Sequence, residues 1–171
     1  MNFSERIIVR DATPADAAGI AAVHVRAWQA AYRGIMPDDF LNSLSVEDRL
    51  ERWRKNLANP MGSTCVADWK GEIRGWVGYG ACRDADLPEA GEIYGIYVDP
   101  DHWGFGIGRR LMATASDRLT ALEMSPVVLW VLEANRRPRQ FYERAGFALD
   151  DAVKTLTYGG RDVRACRYRR A

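Results

Sequence analysis

The chain has 171 residues, 47% of them hydrophobic, and sets 24 Lys and Arg against 23 Asp and Glu. That length supports one well-buried domain rather than two, and with the charge nearly balanced nothing demands a nucleic-acid or membrane partner, although basic residues cluster locally at NRRPR and in the GGRDVRACRYRR segment. Three widely spaced cysteines, Cys65, Cys82 and Cys166, without a C-x-x-C pair exclude a disulfide framework or a cysteine zinc site, and His24 and His102 are too few for a histidine-rich metal centre.

The opening segment MNFSERIIVR lacks a signal-peptide core, and no apolar run approaches the ~18 residues of a membrane span. The expectation is a cytoplasmic protein with reduced thiols and with no metal, membrane or nucleic-acid partner. RIIVR (6 to 10) predicts a strand, and the segment from Thr13 predicts a helix, with Thr13 as cap and Pro14 in the first turn. Ile20, Val23, Ala27 and Ala31 give that helix one apolar face. RGIMPDDF reads as a linker. Ser45 and Asp48 stand in capping-box spacing before a second helix that turns Leu50, Trp53 and Leu57 inward. STCVADW, EIRGWVGYGAC and EIYGIYV predict a strand meander, with Lys70-Gly71 as its first turn. Ile107, Leu111, Ala115, Leu119 and Leu122 mark a helix of about four turns. PVVLWVL is a strand covered on both faces, RPRQFYERAG a short helix ended by Gly146, and AVKTLTY and RDVRACRYR two final strands. The order is β-α-α-β-β-β-α-β-α-β-β, a single α+β domain over residues 6 to 170.

Between the third meander strand and the long helix stands DPDHWGFGIGRR. Backbone N–H groups converge at such a junction and the helix N-terminus adds partial positive charge, so glycines there suit a phosphate. The nucleoside-triphosphate P-loop is excluded, because Arg109 and Arg110 follow Gly108 where Lys and Ser or Thr are required. A dinucleotide fingerprint fits poorly, since Gly104-x-Gly106-x-Gly108 follows a meander rather than a first parallel strand. A tight turn whose glycines serve only backbone geometry stays open.

About thirty residues on comes LWVLEANRRPRQFYERAGF. With WGFGIG, which places Gly106 and Gly108 after Gly104, and with Asn135 followed by FYERAGF, the chain resembles the GNAT superfamily of acyl-CoA-dependent N-acyltransferases. Trp103 stands where that family usually has Gln or Arg, and Pro138 where it has a small residue. The resemblance implies a mixed, mostly antiparallel central sheet of about six to seven strands, splayed at the cofactor site and flanked by about four helices. It also implies acetyl-CoA as acyl donor and a primary amine of a small molecule or peptide as acceptor, joined by direct attack in a ternary complex. Backbone groups of Gly104, Phe105, Gly106, Ile107, Gly108 and Arg109 would hold the pyrophosphate. Those of Ile96, Tyr97 and Val98 would pair with the pantetheine, with Val98 N–H as oxyanion donor. Asn135 would bond the pantetheine or a bridging water, or cap its helix. The side chains of Arg109, Arg136, Arg137 and Arg139 would reach the phosphates of the adenosine end or merely solubilise the surface.

By the same resemblance Tyr142 is the acid that protonates the departing thiolate, the alternative being a core aromatic. Glu92 is the general base or, equally, a solvated carboxylate at a strand start. Asp99 and Asp101 look structural. Trp28, Tyr32 and Tyr94 are expected to line the acceptor groove, with Tyr79 and Tyr97 completing it, although simple packing accounts for Trp28 and Tyr32 as well. A non-catalytic acyl-CoA sensor of the same fold is the competing function. Family members often dimerise through sheet edges or terminal strands, so a homodimer is compatible with the resemblance.

Overall fold

The computed structural model describes residues 7–171; Arg6, the first residue of the expected strand and domain, lies outside the described residues. Seven strands, β1 (Ile8–Asp11), β2 (Ser63–Trp69), β3 (Glu72–Ala81), β4 (Gly91–Val98), β5 (Val127–Leu132), β6 (Ala148–Tyr158) and β7 (Arg161–Arg170), form one sheet in the order β1-β2-β3-β4-β5-β7-β6. Every neighbouring pair is antiparallel except β4 and β5. Five α-helices accompany it among the described residues: α1 (Ala17–Ala31), α2 (Asp38–Asn42), α3 (Val46–Ala58), α4 (Ile107–Ala121) and α5 (Arg136–Arg144). The additional helix is α2, inside the stretch read as linker. Pro37 holds φ near −57° ahead of it, Asp38 and Asp39 fill its first turn, and Leu41 is fully buried, so a local start signal gains a packing partner that the sequence does not reveal.

The sheet alternation fills two layers. Cys65, Ala67 and Val77 point toward α4, which returns Ile107, Leu111, Ala115 and Leu119, with Phe141 and Tyr142 of α5 on the same side. Val66, Ile73 and Trp76 meet Ile20 and Val23 of α1 and Trp53 of α3 on the other. Met36 and Leu41 pack on Leu132 and Ala165, tying the α1–α2 connection to the β5–β7–β6 half. Cys65 and Cys166 are buried and Cys82 half-buried, all three as free thiols. Helix starts follow their sequence signals: the Asp16 carboxylate accepts from Thr13 N–H at 2.7 Å, and Asp48 N–H donates to Ser45 Oγ at 3.1 Å. Arg10 grips Asp16 through two 2.8 Å bonds and holds its carboxyl down at about 2.

Two features position the site. The first is the short β4–β5 ladder, which pairs only Gly91, Ile93 and the residue between them with Val127–Leu129. A register step against β3 falls just after, where Gly78 pairs with Gly95 and Tyr79 with Ile93, so Tyr94 is the extra residue of a β-bulge. Beyond it β4 and β5 run on without each other. The second is Asp99, with no exposed surface, which accepts from Arg26 at 2.5 Å and Arg74 at 3.2 Å and lies 3.2 Å from His102. It thereby fastens the segment after β4 to α1 and β3.

His24 of α1 is buried among the rings of Trp28, Trp53, Trp76 and Tyr97, with centroids 5.3 to 6.2 Å away, and its Nδ1 accepts from Trp53 Nε1 at 3.3 Å. Burial, assisted by the charges of Arg49 and Arg52, pushes the imidazole down to about 3. An unfolded chain takes up this proton near the ordinary histidine value of ~6.5 while the folded one does not, so stability falls as pH drops from ~6.5 toward 3, by at most about 1.4 kcal/mol per pH unit. Thermal melts across that range should show a shallower acid slope for His24→Phe than for wild type. Equal slopes would remove His24 from the account of acid stability.

Candidate active site

Where β4 and β5 diverge, the structure encloses a cavity of about 1140 Å³. Trp28, Tyr32, Tyr94, Ile96, Tyr97, Val98, Gly104, Gly106, Ile107, Gly108, Arg109, Asn135 and Tyr142 all line it. Phe105 does not: its ring is 48% exposed on the outside of the loop, leaving only its backbone on the glycine turn. Tyr79 does not either, because it lies on the α4 face, 2% exposed, with its hydroxyl 3.0 Å from Arg118. Tyr79 shares its face of β3 with Val77 two residues earlier, which packs toward α4, by regular alternation.

Gly104 and Gly106 adopt φ of +89° and +80°, conformations that an L side chain enters at a cost. Gly108 differs. It sits in the first turn of α4 with ordinary φ, and a Cβ there would meet Phe141 and Val98 only at 3.6 Å. Hydrogen bonding in α4 starts with Arg110 N–H to Gly106 O at 3.2 Å, so the amides of Ile107, Gly108 and Arg109 project beyond the helix end as first-turn donors. Trp103 fastens the turn by donating from Nε1 to Val98 O at 2.9 Å, and the Arg137 guanidinium stacks 4.1 Å from its ring centre.

Along β4, Asp99 N–H donates to Arg74 O at 2.9 Å, which makes Arg74 and Asp99 a hydrogen-bonded pair. Antiparallel alternation then commits the backbone of Tyr97 to Trp76 and turns the amides and carbonyls of Ile96 and Val98 away from β3, toward the gap. Tyr97 contributes its ring instead. Its hydroxyl lies 2.9 Å from that of Tyr32, and both phenols are pushed up by burial.

Tyr142 of α5 is 8% exposed, and among the described residues its hydroxyl has no hydrogen-bond partner. Burial, with the nearby Tyr97, pushes its phenol well above the ordinary value, so it stays protonated throughout the neutral range. Asn135 stands at the N-cap of α5 yet makes no side-chain cap bond, and it lines the cavity. Of the arginines expected near a phosphate, Arg109 and Arg137 line the cavity, whereas Arg139 is engaged by Tyr168 and Glu133 O.

Glu92 is neither exposed nor in the cavity wall. It is 1% exposed, and Arg83 clamps it with Nε at 3.0 Å, Nη2 at 2.5 Å and its own backbone N–H at 3.0 Å. The solvated carboxylate is therefore corrected to a buried one, and the group that reaches the cavity here is the Arg83 guanidinium, 4.4 Å from the Tyr94 ring centre. Arg83, Trp130, Lys154 and Tyr158 are lining residues that sequence reasoning missed. Lys154 and Tyr158 share a face of β6 by simple alternation, but only the fold reveals that this face turns to the groove. No Asp or Glu lines the cavity among the described residues.

Comparison with known proteins agrees with this geometry. Residues 25–147 match the model of the acetyltransferase (GNAT) family. An uncharacterised N-acetyltransferase of Bacillus subtilis is 33% identical over 129 residues, 75% of this chain and 73% of that one. A Mycobacterium tuberculosis protein named as a probable N-acetyltransferase is 29% identical over 152 residues, 87% of this chain and 84% of that one. The PaiA N-acetyltransferase of Thermoplasma acidophilum, solved in complex with coenzyme A, superposes with a TM-score of 0.73 at 19% identity, covering 94% of this chain and 97% of that one. Sheet order, the strand gap, the glycine turn and these matches lead to one assignment: the chain belongs to the GNAT family and is an acyl-CoA-dependent acetyltransferase.

Proposed function

We propose that the protein moves an acetyl group from acetyl-CoA to a primary amine by direct attack in a ternary complex. The observation that carries this reading is the gap itself, where the outward backbone of Ile96 and Val98, the α4 amides and the unbonded Tyr142 hydroxyl meet in one cavity. Bound acetyl-CoA supplies the activated acetyl thioester. The amides of Ile107, Gly108 and Arg109 bind its pyrophosphate, and Arg109 and Arg137 add charge to the same end. Ile96 and Val98 present the free edge of β4 to an extended chain as a partner strand would. The Val98 amide stabilises the negative charge that develops on the thioester oxygen as the amine nitrogen attacks the carbonyl carbon. Tyr142 donates its proton to sulfur as the carbon–sulfur bond breaks and regains one from the proton that the attacking nitrogen loses on becoming an amide, so that the amine and thioester leave as amide and thiol. Trp28, Tyr32, Tyr94 and Tyr97 enclose the acceptor.

Removal of the amine proton has a different basis from the one the sequence suggests. Glu92 is engaged by Arg83, and no other carboxylate lines the cavity among the described residues. The site thus admits the amine in its neutral form. For an alkyl amine of pKa ~10.4 that selection costs roughly 4.6 kcal/mol at pH 7, and for an amine of pKa ~8 only about 1.4. Glu92 acts here by holding Arg83.

Gly108→Ala should leave the melting temperature unchanged or slightly raised while weakening acetyl-CoA binding at least ~10-fold by calorimetry, because the fold tolerates the new methyl and a ligand against the amide does not. Wild-type affinity in that variant would put the pyrophosphate elsewhere. Tyr142→Phe should lower kcat by ~10²-fold with acetyl-CoA affinity nearly intact, measured as CoA thiol release. An unchanged kcat would reduce the tyrosine to packing. Since Tyr142 keeps its proton, kcat/KM should rise about tenfold per pH unit up to the acceptor's own pKa; a plateau well below that pKa would reveal a base inside the site.

A further inference from the structure

The acceptor half of the cavity is electrostatically one-sided. Arg83 and Lys154 stand in its wall, on the far side of the cavity from the Arg109 and Arg137 that flank the glycine turn. An ordinary amine acceptor is a cation in solution, and a site built for a simple alkylamine would place a carboxylate there. Four carboxylates do lie close by, and each is turned away by a partner. Glu92 is held by Arg83. Asp84 accepts from Trp130 Nε1 at 2.9 Å and from Arg167 at 3.0 Å. Arg167, 5% exposed, also binds Asp86 at 2.8 Å and Asp150 at 3.0 Å.

The two lining cations are less completely matched, and the Arg83 side chain stays 56% exposed. The Lys154 ammonium rests 3.9 Å over the Trp130 ring with no carboxylate within ion-pair distance among the described residues. Its surroundings include Arg83 as well as Asp84 and Glu92, and burial lowers its affinity for its proton. Glu92 occupies Nε and one hydrogen of Nη2 on Arg83, so the Nη1 edge of that guanidinium retains its donors. Tyr94 fixes the fork in place. Its ring lies under the guanidinium and its hydroxyl donates to Ala81 O at 2.8 Å, an arrangement that needs glycine at position 80, where a Cβ would fall 2.6 Å from that hydroxyl oxygen.

We infer that the acceptor is an amine that carries its own carboxylate, bound by Lys154 and the free edge of Arg83 with its apolar part on Trp28, Trp130 and Tyr158. The anion gives Lys154 the ion-pair partner it lacks among the described residues and takes up the free donors of Arg83, and it offsets the repulsion a cationic amine would otherwise meet from these two lining cations. Free amino acids and peptides with a carboxylate near the amine share this chemistry. The inference rests on the acetyltransfer reading above.

The test uses three matched acceptors, phenylalanine, phenylalaninamide and phenethylamine, together with a dipeptide that has Asp in second place, each with acetyl-CoA. CoA release is expressed per neutral amine, which removes differences in amine pKa. The expected result is a kcat/KM for phenylalanine or the dipeptide roughly 10- to 100-fold above that for the amide and the simple amine, the size expected of a hydrogen-bonded charge pair. Preference for phenylalanine assigns a free amino acid, and preference for the dipeptide assigns a peptide end. Lys154→Met should bring the acid-to-amide ratio to within about threefold through KM, and Lys154→Arg should retain most of it. Lys154 is the better probe because it lies half-exposed on an edge strand, whereas removing Arg83 strands the buried Glu92. Equal kcat/KM for acid, amide and amine in the wild type would overturn the inference while leaving acetyl transfer intact. Absence of CoA release with every amine would overturn the reading beneath it.

Discussion

A strand pair that hydrogen-bonds over three residues and then diverges leaves two backbone edges facing each other, and buried amides without partners are costly. Along β4 and β5 that constraint shapes the rest of the molecule. The bulge at Tyr94 rotates β4 so that Ile96 and Val98 point to the α4 face, while Gly95, having no side chain, lets the rings of Trp76 and Tyr97 close up over it. Trp103 satisfies one exposed carbonyl, that of Val98. The remaining groups form a surface complementary to an extended polar chain.

Charge is arranged around this gap with a consistent sense. At both ends of the cavity the charged lining residues are cations, and the carboxylates stand outside its wall, as Glu92 does against Arg83, or around a buried guanidinium, as Asp84, Asp86 and Asp150 do around Arg167. Asp99 repeats the device outside the cavity, gathering Arg26 and Arg74 beneath the turn that leads to α4. Carboxylates set back in this way orient the forks of the arginines and temper their desolvation cost without contributing negative charge to the cavity surface.

The parts of this design that depend on local chemistry were legible in the sequence. The glycines before α4, the caps at Thr13 and Ser45, and the helix bearing Tyr142 announce themselves by spacing. What stayed hidden depends on long-range pairing. Nothing near Glu92 shows that Arg83, nine residues earlier and across a loop, folds back to cover it. Alternation pairs Tyr79 with Val77 on one face of β3, but which face meets α4 is decided by packing across the sheet. Lys154 reads as a polar residue on an outer strand, and nothing local shows that this strand, one place beyond β7, turns that face to the groove.

The strand order also bears on how the domain assembles. β2 to β4 form a meander and β6 with β7 a hairpin closed by Gly159 and Gly160, so the larger part of each half can organise through contacts near in sequence, with β1 joining β2 across the α1–α3 segment. β7, although it follows β6 in the chain, takes the inner position against β5. Among the described residues, the two halves of the sheet are joined only through the three-residue β4–β5 ladder, closed over the α4 crossover. Local hairpins form in microseconds whereas non-local pairings are slower, which makes docking of the halves the late step of folding. The seam that joins last is the one that opens into the cavity, so a ligand bridging it stabilises the native state by holding together two units that could each have folded early.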